Sequence, residues 1–285
     1  MAGAGAYSQA GLGFCSGFAT SERDFAAGCR MAKPSPTLPT EPSPSRRNGE
    51  ELQLQNEILL DLSHDDCKAV LSNLEFVRLK PRQVLHEAGE PLKSGYFCNS
   101  GMFSILSAMP DGKLVAVGLI GKEGFAGLPL IAGFRTALAR TIVQVEATAY
   151  RVDASLLLSL LRQYPELERR LQQYAQFLTL QVIQTAACNR LHGVHDRLAR
   201  WLLMTQDRIG CNSLPVTQDL LSQMIGTRRS SVSQSACSLQ KARLISYTRG
   251  RLIILDRCGL EKTVCKCYDL LQQRTGEWQR QCGLL

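Results

Sequence analysis

The most constraining feature of the chain is a pair of short helical patterns that meet at Gly226. Apolar residues recur at helical spacing before this glycine, at Val216, Leu220, Leu221, Met224 and Ile225. A second apolar stripe follows it, at Val232, Ala236 and Leu239. Glycine supplies the left-handed conformation that a tight turn requires, and Thr227 is predicted to cap the second helix. The pattern predicts a helix-turn-helix.

The second of these helices has an unusual exposed edge. Arg228 and Arg229 stand in its first turn, where positive charge opposes the helix dipole, so their position suggests an external anion. The serines that follow are Ser230, Ser231, Ser233 and Ser235. Serine is a poor helix former, but its small side chain permits close approach to a phosphate backbone. These arginines and serines, together with Gln234, are typical of a helix that lies in the major groove of DNA. The alternative is a solvated helix of unusual composition.

The surrounding segments favour a nucleic-acid partner. The run from Tyr247 to Leu255 predicts a β-hairpin whose tip carries Arg249 and Arg251, which is the wing of a winged helix. Residues 190–285 hold 15 Lys and Arg against 7 Asp and Glu, so the whole net charge of +8 lies in this third of the chain. A localised positive field suits a polyanion, because binding releases condensed counterions.

Residues 74–152 have the pattern of short strands. The candidate strands are Phe76–Val77, Val84–Leu85, Tyr96–Phe97, Phe103–Leu106, Val115–Val117 and Thr141–Val145. Pro110, Asp111 and Gly112 predict a hairpin turn, and residues 53–71 ahead of the strands predict two short helices, the second capped by Ser63. Six to eight strands at this spacing predict a closed or sandwiched all-β unit such as a jelly roll.

A long helix is predicted from Pro165 to about Asn189, with proline at its first position. One apolar stripe of this helix consists of Leu167, Leu171, Tyr174, Leu178 and Val182, and the other of Phe177, Leu180, Ile183 and Ala187. A helix with two apolar faces packs against two surfaces, and we expect these to be the β-domain and the same helix of a second subunit. Burial within one domain is the alternative. A break at residues 192–194 precedes a further helix that ends near Gly210.

The first fifty residues predict a disordered tail. Five prolines lie between positions 34 and 44, and Ala, Gly and Ser dominate before them, so little apolar surface is available for burial. Met31 is an alternative start. A secretory signal and a run of about 18–20 apolar residues are both missing, so we expect a cytoplasmic protein. Its 11 cysteines, odd in number and scattered, are then expected to be free thiols.

The chain resembles the Crp/Fnr family of bacterial transcription regulators over about residues 53–262. The resemblance rests on Leu-Pro-Val-Thr-Gln at 214–218, Gly-Thr-Arg-Arg-Ser-Ser-Val at 226–232, and Leu244–Ile245 ahead of the wing. It implies an α+β fold with an N-terminal double-stranded β-helix (jelly-roll) domain, a long dimerisation helix and a C-terminal winged helix-turn-helix. The implied divisions are a tail at 1–50, a cyclic-nucleotide-binding-like β-roll sensor at 51–164, the dimerisation helix at 165–191, the DNA-binding domain at 192–262 and a helical extension at 263–285.

The resemblance also implies roles for single residues. Arg229 would read guanine, and Ser230 and Gln234 would be the other residues that face bases. The residues that would hold phosphates are Thr217, Gln218, Arg228, Ser231 and Ser233. Arg249 and Arg251 would lie in the wing.

The partners that the resemblance implies are a double-stranded DNA operator with an inverted repeat, a second copy of the chain, and RNA polymerase. We expect no enzymatic activity, because the sequence has no nucleophile elbow, phosphate loop or metalloprotease pattern. The alternative is a ligand-binding regulatory module that acts through a protein partner rather than DNA.

The family's cyclic-nucleotide cassette has a Gly-Glu pair, followed by an Arg with Ser or Thr after it. The best match here is Gly127 with Leu128 and then Arg140 with Thr141, so Gly127, Arg140 and Thr141 form the candidate effector pocket. Leu128 replaces the acidic residue that would accept a ribose hydroxyl, and Glu123 could substitute only in a shifted register. Loss of that acceptor costs about 1–3 kcal/mol, so we do not expect cyclic AMP; another ligand, or none, stays open.

No metal site is expected. An iron–sulfur cluster needs closely spaced cysteines, whereas Cys15 and Cys29 are fourteen residues apart. The Cys265–Cys267 segment has two nearby thiols, but these supply only half of a metal site. His192 and His195 are interpreted as ordinary hinge or helix-surface residues.

Overall fold

The computed structural model describes residues 53–248 and 250–281. The predicted tail with Cys15, Cys29 and Met31, and the wing residue Arg249, lie outside the described residues. The described chain starts with two short helices, α1 (Glu57–Leu60) and α2 (His64–Leu71). Ser63 caps α2 as predicted, since its side chain accepts a hydrogen bond from the backbone N–H of Asp66.

Six strands of the described residues form one antiparallel sheet, the β-domain. They are β1 (Glu75–Leu79), β2 (Val84–His86), β3 (Ser94–Ala108), β4 (Leu114–Ile120), β5 (Phe125–Ala126) and β6 (Arg140–Asp153). The strand order is β1–β6–β3–β4, with β2 paired to β6 and β5 paired to β3. Phe97, Phe103 and Phe125 lie fully buried in its core. The predicted hairpin turn joins β3 to β4, and Gly112 has a φ of 78° within it.

The prediction of separate strands at Tyr96–Phe97 and Phe103–Leu106 is wrong, because both segments lie in the 15-residue strand β3. Between residues 98 and 103 the pairing with β6 shifts its register three times, so the polar residues there form bulges rather than a turn. Gly101 has a φ of 77° at this point, and a Cβ atom on it would lie 2.1 Å from the carbonyl oxygen of Glu146. The bulges bend the strand without ending it.

Two helices follow the sheet, α3 (Ala154–Gln163) and α4 (Pro165–Leu191). Helix α4 begins at proline, as predicted, and its residues Leu167, Leu171 and Tyr174 pack into the core of the β-domain. Further along, the buried Gln181 accepts a hydrogen bond from the N–H of Leu119 at 2.6 Å and donates one to the carbonyl of Leu119 at 3.3 Å. Helix α4 therefore covers the edge strand β4, whose backbone groups need partners.

The second predicted stripe of α4 is divided between core and solvent. Leu180 is buried and Phe177 half-buried, whereas Ile183 is 60% exposed and Ala187 is exposed as well. Leu191, one turn beyond the predicted stripe, is 74% exposed. The first stripe packs as expected. One apolar face near the end of α4 is thus left uncovered within a single chain.

The chain breaks at residues 192–193 and continues as the C-terminal domain. Its elements are α5 (Val194–Ile209), β7 (Ser213–Leu214), α6 (Gln218–Ile225), α7 (Arg229–Lys241), β8 (Ile245–Thr248), β9 (Arg251–Ile254), α8 (Arg257–Thr263) and α9 (Cys267–Gln281). Strands β7, β9 and β8 form a three-stranded sheet in that order, and Gly210 ends α5 as predicted, with a φ of 63°. Among the helices of the described chain, none is both long and apolar enough to cross a membrane.

One apolar core joins the β-domain to the C-terminal domain. Met102, Leu106 and Ala116, which lie in β3 and β4, belong to the same buried cluster as Trp201 of α5 and Ile225 of α6. The sequence indicates two domains but contains no sign of this contact, since its members come from segments more than eighty residues apart. The position of the C-terminal domain therefore depends on packing against the β-domain.

Candidate nucleic-acid interface

The turn between α6 and α7 has the predicted glycine. Thr217 caps α6 by accepting a hydrogen bond from the N–H of Leu220 at 3.2 Å. Gly226 ends α6 with a φ of 66°, and the N–H of Thr227 then donates to the carbonyl of Ser222 at 3.0 Å. The bond from Thr227 satisfies one of the last carbonyl groups of α6, and the turn sets the point from which α7 starts.

The prediction that Thr227 caps α7 is wrong. Helix α7 begins at Arg229 with Arg228 in the cap position, and no side chain of the described chain caps it. The backbone of Thr227 instead closes the end of α6, which leaves the threonine one residue too early to act as the cap. Without a capping side chain, the backbone N–H groups of Arg229 and Ser230 stay available to an anion, whereas the N–H of Ser231 donates to the carbonyl of Arg228 at 3.1 Å.

Helix α7 has a buried side and an exposed side. The predicted apolar stripe of Val232, Ala236 and Leu239 is buried. The residues expected to meet DNA lie on the other side, with Arg228, Arg229, Ser230 and Gln234 exposed and Ser231 and Ser233 half-buried. Packing thus fixes the helix from behind, while a polar edge of the helix faces solvent.

Gln218 connects α6 to this edge. Its Oε1 accepts hydrogen bonds from Nε of Arg229 at 3.2 Å and from Oγ of Ser233 at 2.9 Å. Arg229 also forms an ion pair with Asp219, with 3.3 Å between Nη1 and Oδ1. Both side chains of this pair are well exposed, at 63% and 70%, so the pair is weak and another acceptor can replace it. Sequence reasoning missed Asp219, whose only signal is an acidic side chain in the first turn of α6.

The wing is present as a hairpin of β8 and β9. Gly250 has a φ of 75° in its turn, and Arg251 is exposed at the start of β9. The hydroxyl of Tyr247 donates a hydrogen bond to the carbonyl of Val216 at 3.3 Å, which ties the wing to the segment before α6. Burial raises the pKa of the Tyr247 hydroxyl, so this donor keeps its proton at neutral pH.

The three residues of the candidate effector pocket lie directly after β5 and at the start of β6. Gly127 has a φ of 125°, and a Cβ atom on it would lie 3.1 Å from Cα of Gly95. Arg140 pairs with Glu87, with 3.3 Å between Nε and Oε2, and Thr141 is only 6% exposed. Gly127 lies against Gly95, and Arg140 is paired with Glu87. The role of these residues in effector binding stays a prediction.

Glu123 lies in the contact between the two domains. Its Oε1 is 2.8 Å from Nε of Arg208, near the end of α5, and both side chains are largely buried. The contact is an ion pair without the alignment of a hydrogen bond. The same carboxylate accepts a hydrogen bond from the N–H of Gly121 at 3.1 Å. These partners hold Glu123 in a structural contact with α5.

The turn of the helix-turn-helix lies directly on the β-domain. A Cβ atom on Gly226 would come within 2.8 Å of Cγ1 of Val115, and α6 packs along β4 around this point. The glycine is therefore required twice, once for its positive φ and once for this close approach.

Two family models match the sequence. The cyclic nucleotide-binding domain matches residues 76–164, and the Crp-like helix-turn-helix domain matches residues 196–263. Together they account for more than half of the chain. The chain belongs to the Crp/Fnr family. A search of curated proteins found no sequence match.

Solved structures have the same fold at low sequence identity. The c-di-GMP responsive global regulator CLP of Xanthomonas campestris is 17% identical, with a TM-score of 0.57, and the match covers 67% of this chain and 98% of that one. FixK2 from Bradyrhizobium japonicum is 12% identical, with a TM-score of 0.59 and coverage of 67% and 98%. TTHB099, a CRP family transcriptional regulator from Thermus thermophilus, is 19% identical, with a TM-score of 0.52 and coverage of 66% and 95%.

Replacing Gly226 with alanine tests the contact between the turn and the β-domain. The positive φ alone costs about 1 kcal/mol for alanine, and the clash with Val115 should add about 1 kcal/mol to the loss of unfolding free energy. Gly250→Ala is the matched control, because Gly250 has a similar φ of 75° and no atom within 4 Å of an added Cβ. Urea denaturation measures both. Equal losses in the two variants would contradict the contact.

Proposed function

We propose that this Crp/Fnr family member is a homodimeric, sequence-specific DNA-binding transcription regulator that acts in the cytoplasm and is controlled by its β-domain. The observation that supports this most directly is the exposed polar edge of α7, which presents Arg228, Arg229, Ser230 and Gln234 in front of a buried apolar stripe. The net positive charge of residues 190–285 adds a sequence-independent attraction to phosphates.

Arg229 is the main base reader in this proposal. Its guanidinium would donate two hydrogen bonds to O6 and N7 of a guanine in the major groove. In the free protein Gln218 already bonds the Nε of Arg229, which orders the arginine before DNA arrives and lowers the entropy cost of binding. The exposed ion pair with Asp219 would be exchanged for the base. Ser230 and Gln234 would contact neighbouring bases.

Phosphate contacts would come from the start of both helices. At the start of α7 these would be Arg228 and the N–H groups that no side chain caps. The other residues expected to hold phosphates and fix the register are Thr217, Gln218, Ser231 and Ser233. Ser233 bonds Gln218 in the free protein, so its phosphate role requires an exchange of partner. Arg251 would add a contact from the wing, and Arg249, outside the described residues, would do the same.

Dimerisation would use the uncovered apolar face of α4. Ile183, Ala187 and Leu191 are exposed there in a single chain. A two-fold dimer through this helix would place the two α7 helices in successive major grooves, whose centres are about 34 Å apart. The operator should then be an inverted repeat, and RNA polymerase is the partner through which such a dimer would change transcription.

Control by the β-domain would act through β4 and the loop after it. Val115 touches the turn at Gly226, and Glu123 is paired with Arg208 of α5. A ligand that shifts β4 would therefore shift the helix-turn-helix. This step requires two states of the protein that differ in operator affinity.

Selection of bound duplexes from a random pool tests the proposed function. We expect the recovered sequences to share an inverted repeat with half-sites about one helical turn apart. A pool without a shared motif would contradict DNA recognition and would favour a regulatory module that acts on a protein partner.

Replacing Arg229 with alanine should weaken binding to the selected operator by about 1–3 kcal/mol, because a bidentate contact to one base is lost. Binding to random duplex should change little. Arg274→Ala removes the same charge from an exposed position on α9 and should leave operator affinity unchanged. Fluorescence anisotropy at one fixed salt concentration measures both variants. An equal effect on operator and random DNA would exclude Arg229 as a base reader.

Replacing Ile183 with glutamate should convert the dimer to a monomer, because the change places a charge at the centre of the proposed interface. Leu138→Glu is the matched control, since Leu138 is also a large apolar side chain, 73% exposed, but lies in the loop before β6. Sedimentation velocity gives the mass of each variant. A wild-type monomer at tens of micromolar, or a dimer that persists in the Ile183 variant, would refute this interface.

A further inference from the structure

Three cysteines and one histidine come together where α4 ends and the C-terminal extension begins. They are Cys188, His192, Cys265 and Cys267, and their ligand atoms all lie within 4.8 Å of one another. Cys188 and His192 are four residues apart, so they lie on the same face of the helix end. Cys265 and Cys267 flank Lys266, whose side chain is 98% exposed and is not part of the cluster.

Two distances within the cluster are close to those expected around one tetrahedral ion. Sγ of Cys188 lies 3.6 Å from Sγ of Cys265, and Sγ of Cys267 lies 3.5 Å from Nδ1 of His192. Zinc binds sulfur at about 2.3 Å and imidazole nitrogen at about 2.0–2.1 Å. At tetrahedral angles these lengths place two sulfurs about 3.8 Å apart, and sulfur and nitrogen about 3.6 Å apart.

The chemistry of the ligands selects zinc over the other groups that cysteines hold. A disulfide needs sulfur atoms about 2.05 Å apart, well short of the 3.6 Å between Cys188 and Cys265. An iron–sulfur cluster distributes its thiolates over several irons, so four ligands this close together favour a single ion. Magnesium and calcium prefer oxygen ligands and bind thiolates poorly. Three cysteines with one histidine are a known ligand set of structural zinc sites.

The surroundings suit a bound zinc thiolate. Cys188 and Cys267 are buried, with 0% and 5% of their surface exposed. Three thiolates, one neutral imidazole and Zn²⁺ together bear one negative charge. The buried Arg200 donates a hydrogen bond from Nη1 to Oγ1 of Thr185 at 3.2 Å, three residues before Cys188, which places its positive charge against this part of α4. The charge of a loaded site would thus be balanced within the protein.

We propose that Cys188, His192, Cys265 and Cys267 bind one Zn²⁺ ion, which fastens the start of α9 to the end of α4. Sequence analysis set aside Cys265 and Cys267 because two thiols are half of a site, and the fold supplies the other half. The ion would lie at the break that separates α4 from α5. None of the four ligands belongs to the proposed DNA surface, so this inference stands apart from the proposed function.

Metal content is the first test, on full-length protein purified without an affinity tag or chelator and under reducing conditions. We expect about one zinc per chain by mass spectrometry of the elements. Cobalt exchanged into the site should show thiolate-to-cobalt charge transfer and the strong d–d absorption of a tetrahedral ion. Iron with acid-labile sulfide, or a reduced protein that fails to take up added zinc, would overturn the proposal.

Substitution of the ligands is the second test. Cys265→Ser combined with Cys267→Ser should lower zinc affinity by more than about 100-fold, since two of the four ligands are lost. Cys258→Ser is the matched control, because Cys258 is an exposed free cysteine in α8, outside the cluster. Equal zinc affinity in the double variant and the control would refute the site.

A third test covers the case in which the double variant does not fold. His192→Ala keeps the three thiolates, so bound cobalt should retain its charge-transfer absorption while its d–d bands change. His195→Ala, three residues away and outside the cluster, should leave the whole spectrum unchanged. Identical spectra for both histidine variants would exclude His192 as a ligand.

The fastening role has its own readout in amide hydrogen exchange. Removal of zinc from the wild-type protein by a chelator should raise exchange rates in α9 by about tenfold or more, while rates in the core of the β-domain stay the same. Unchanged protection of α9 after zinc loss would contradict the fastening role.

Discussion

The packing of β4 and the loop after it against three helices is the interaction on which the rest of the structure depends. This strand is the edge of the β-domain sheet, and α4 covers it through the two hydrogen bonds of Gln181. Helix α6 packs on it at Gly226, and the loop beyond it holds Arg208 of α5 through Glu123. An edge strand needs its backbone groups covered, and α4 does this, while side-chain contacts tie α6 and α5 to the same part of the sheet. We therefore expect any displacement of β4 to reach the helix-turn-helix.

The proposed DNA surface and the proposed zinc site are formed by different residues of the chain. Val232, Ala236 and Leu239 hold α7 from behind, and this leaves the arginine-bearing edge free to contact a base. The zinc ligands join α4, the proposed dimer helix, to α9 at the break before α5. His192 directly follows Leu191, which belongs to the proposed dimer face, so a bound ion would hold the end of that face.

The sequence predicted the helix-turn-helix well because its signals are local. The spacing of apolar residues and the positive φ at Gly226 both act within a few residues, whereas the cap at Thr217 was not predicted. Thr227 failed as a cap because its backbone is used to end α6, a choice between two local roles that the pattern does not reveal. The residues around Gly101 form bulges instead of a turn because β6 continues the pairing from more than forty residues away.

Contacts between distant segments were beyond the sequence pattern. Cys188 and Cys265 are 77 residues apart, so the pair of thiols near the C-terminus had no visible partner. The exposed ion pair of Asp219 with Arg229 depends on how α6 and α7 pack. The close approach of Val115 to Gly226 depends in the same way on the shared core. In each case the residue types were visible, and only the fold shows which of them meet.

The central claim, that the exposed edge of α7 reads bases in the major groove, is tested most directly with modified operators. Replacing the guanine expected to face Arg229 by 7-deazaguanine removes the N7 acceptor from the major groove, whereas inosine removes only the amino group in the minor groove. The account predicts that 7-deazaguanine weakens binding by about tenfold for the wild-type protein and that inosine has little effect. Equal effects of the two bases, or a larger effect of inosine, would contradict it.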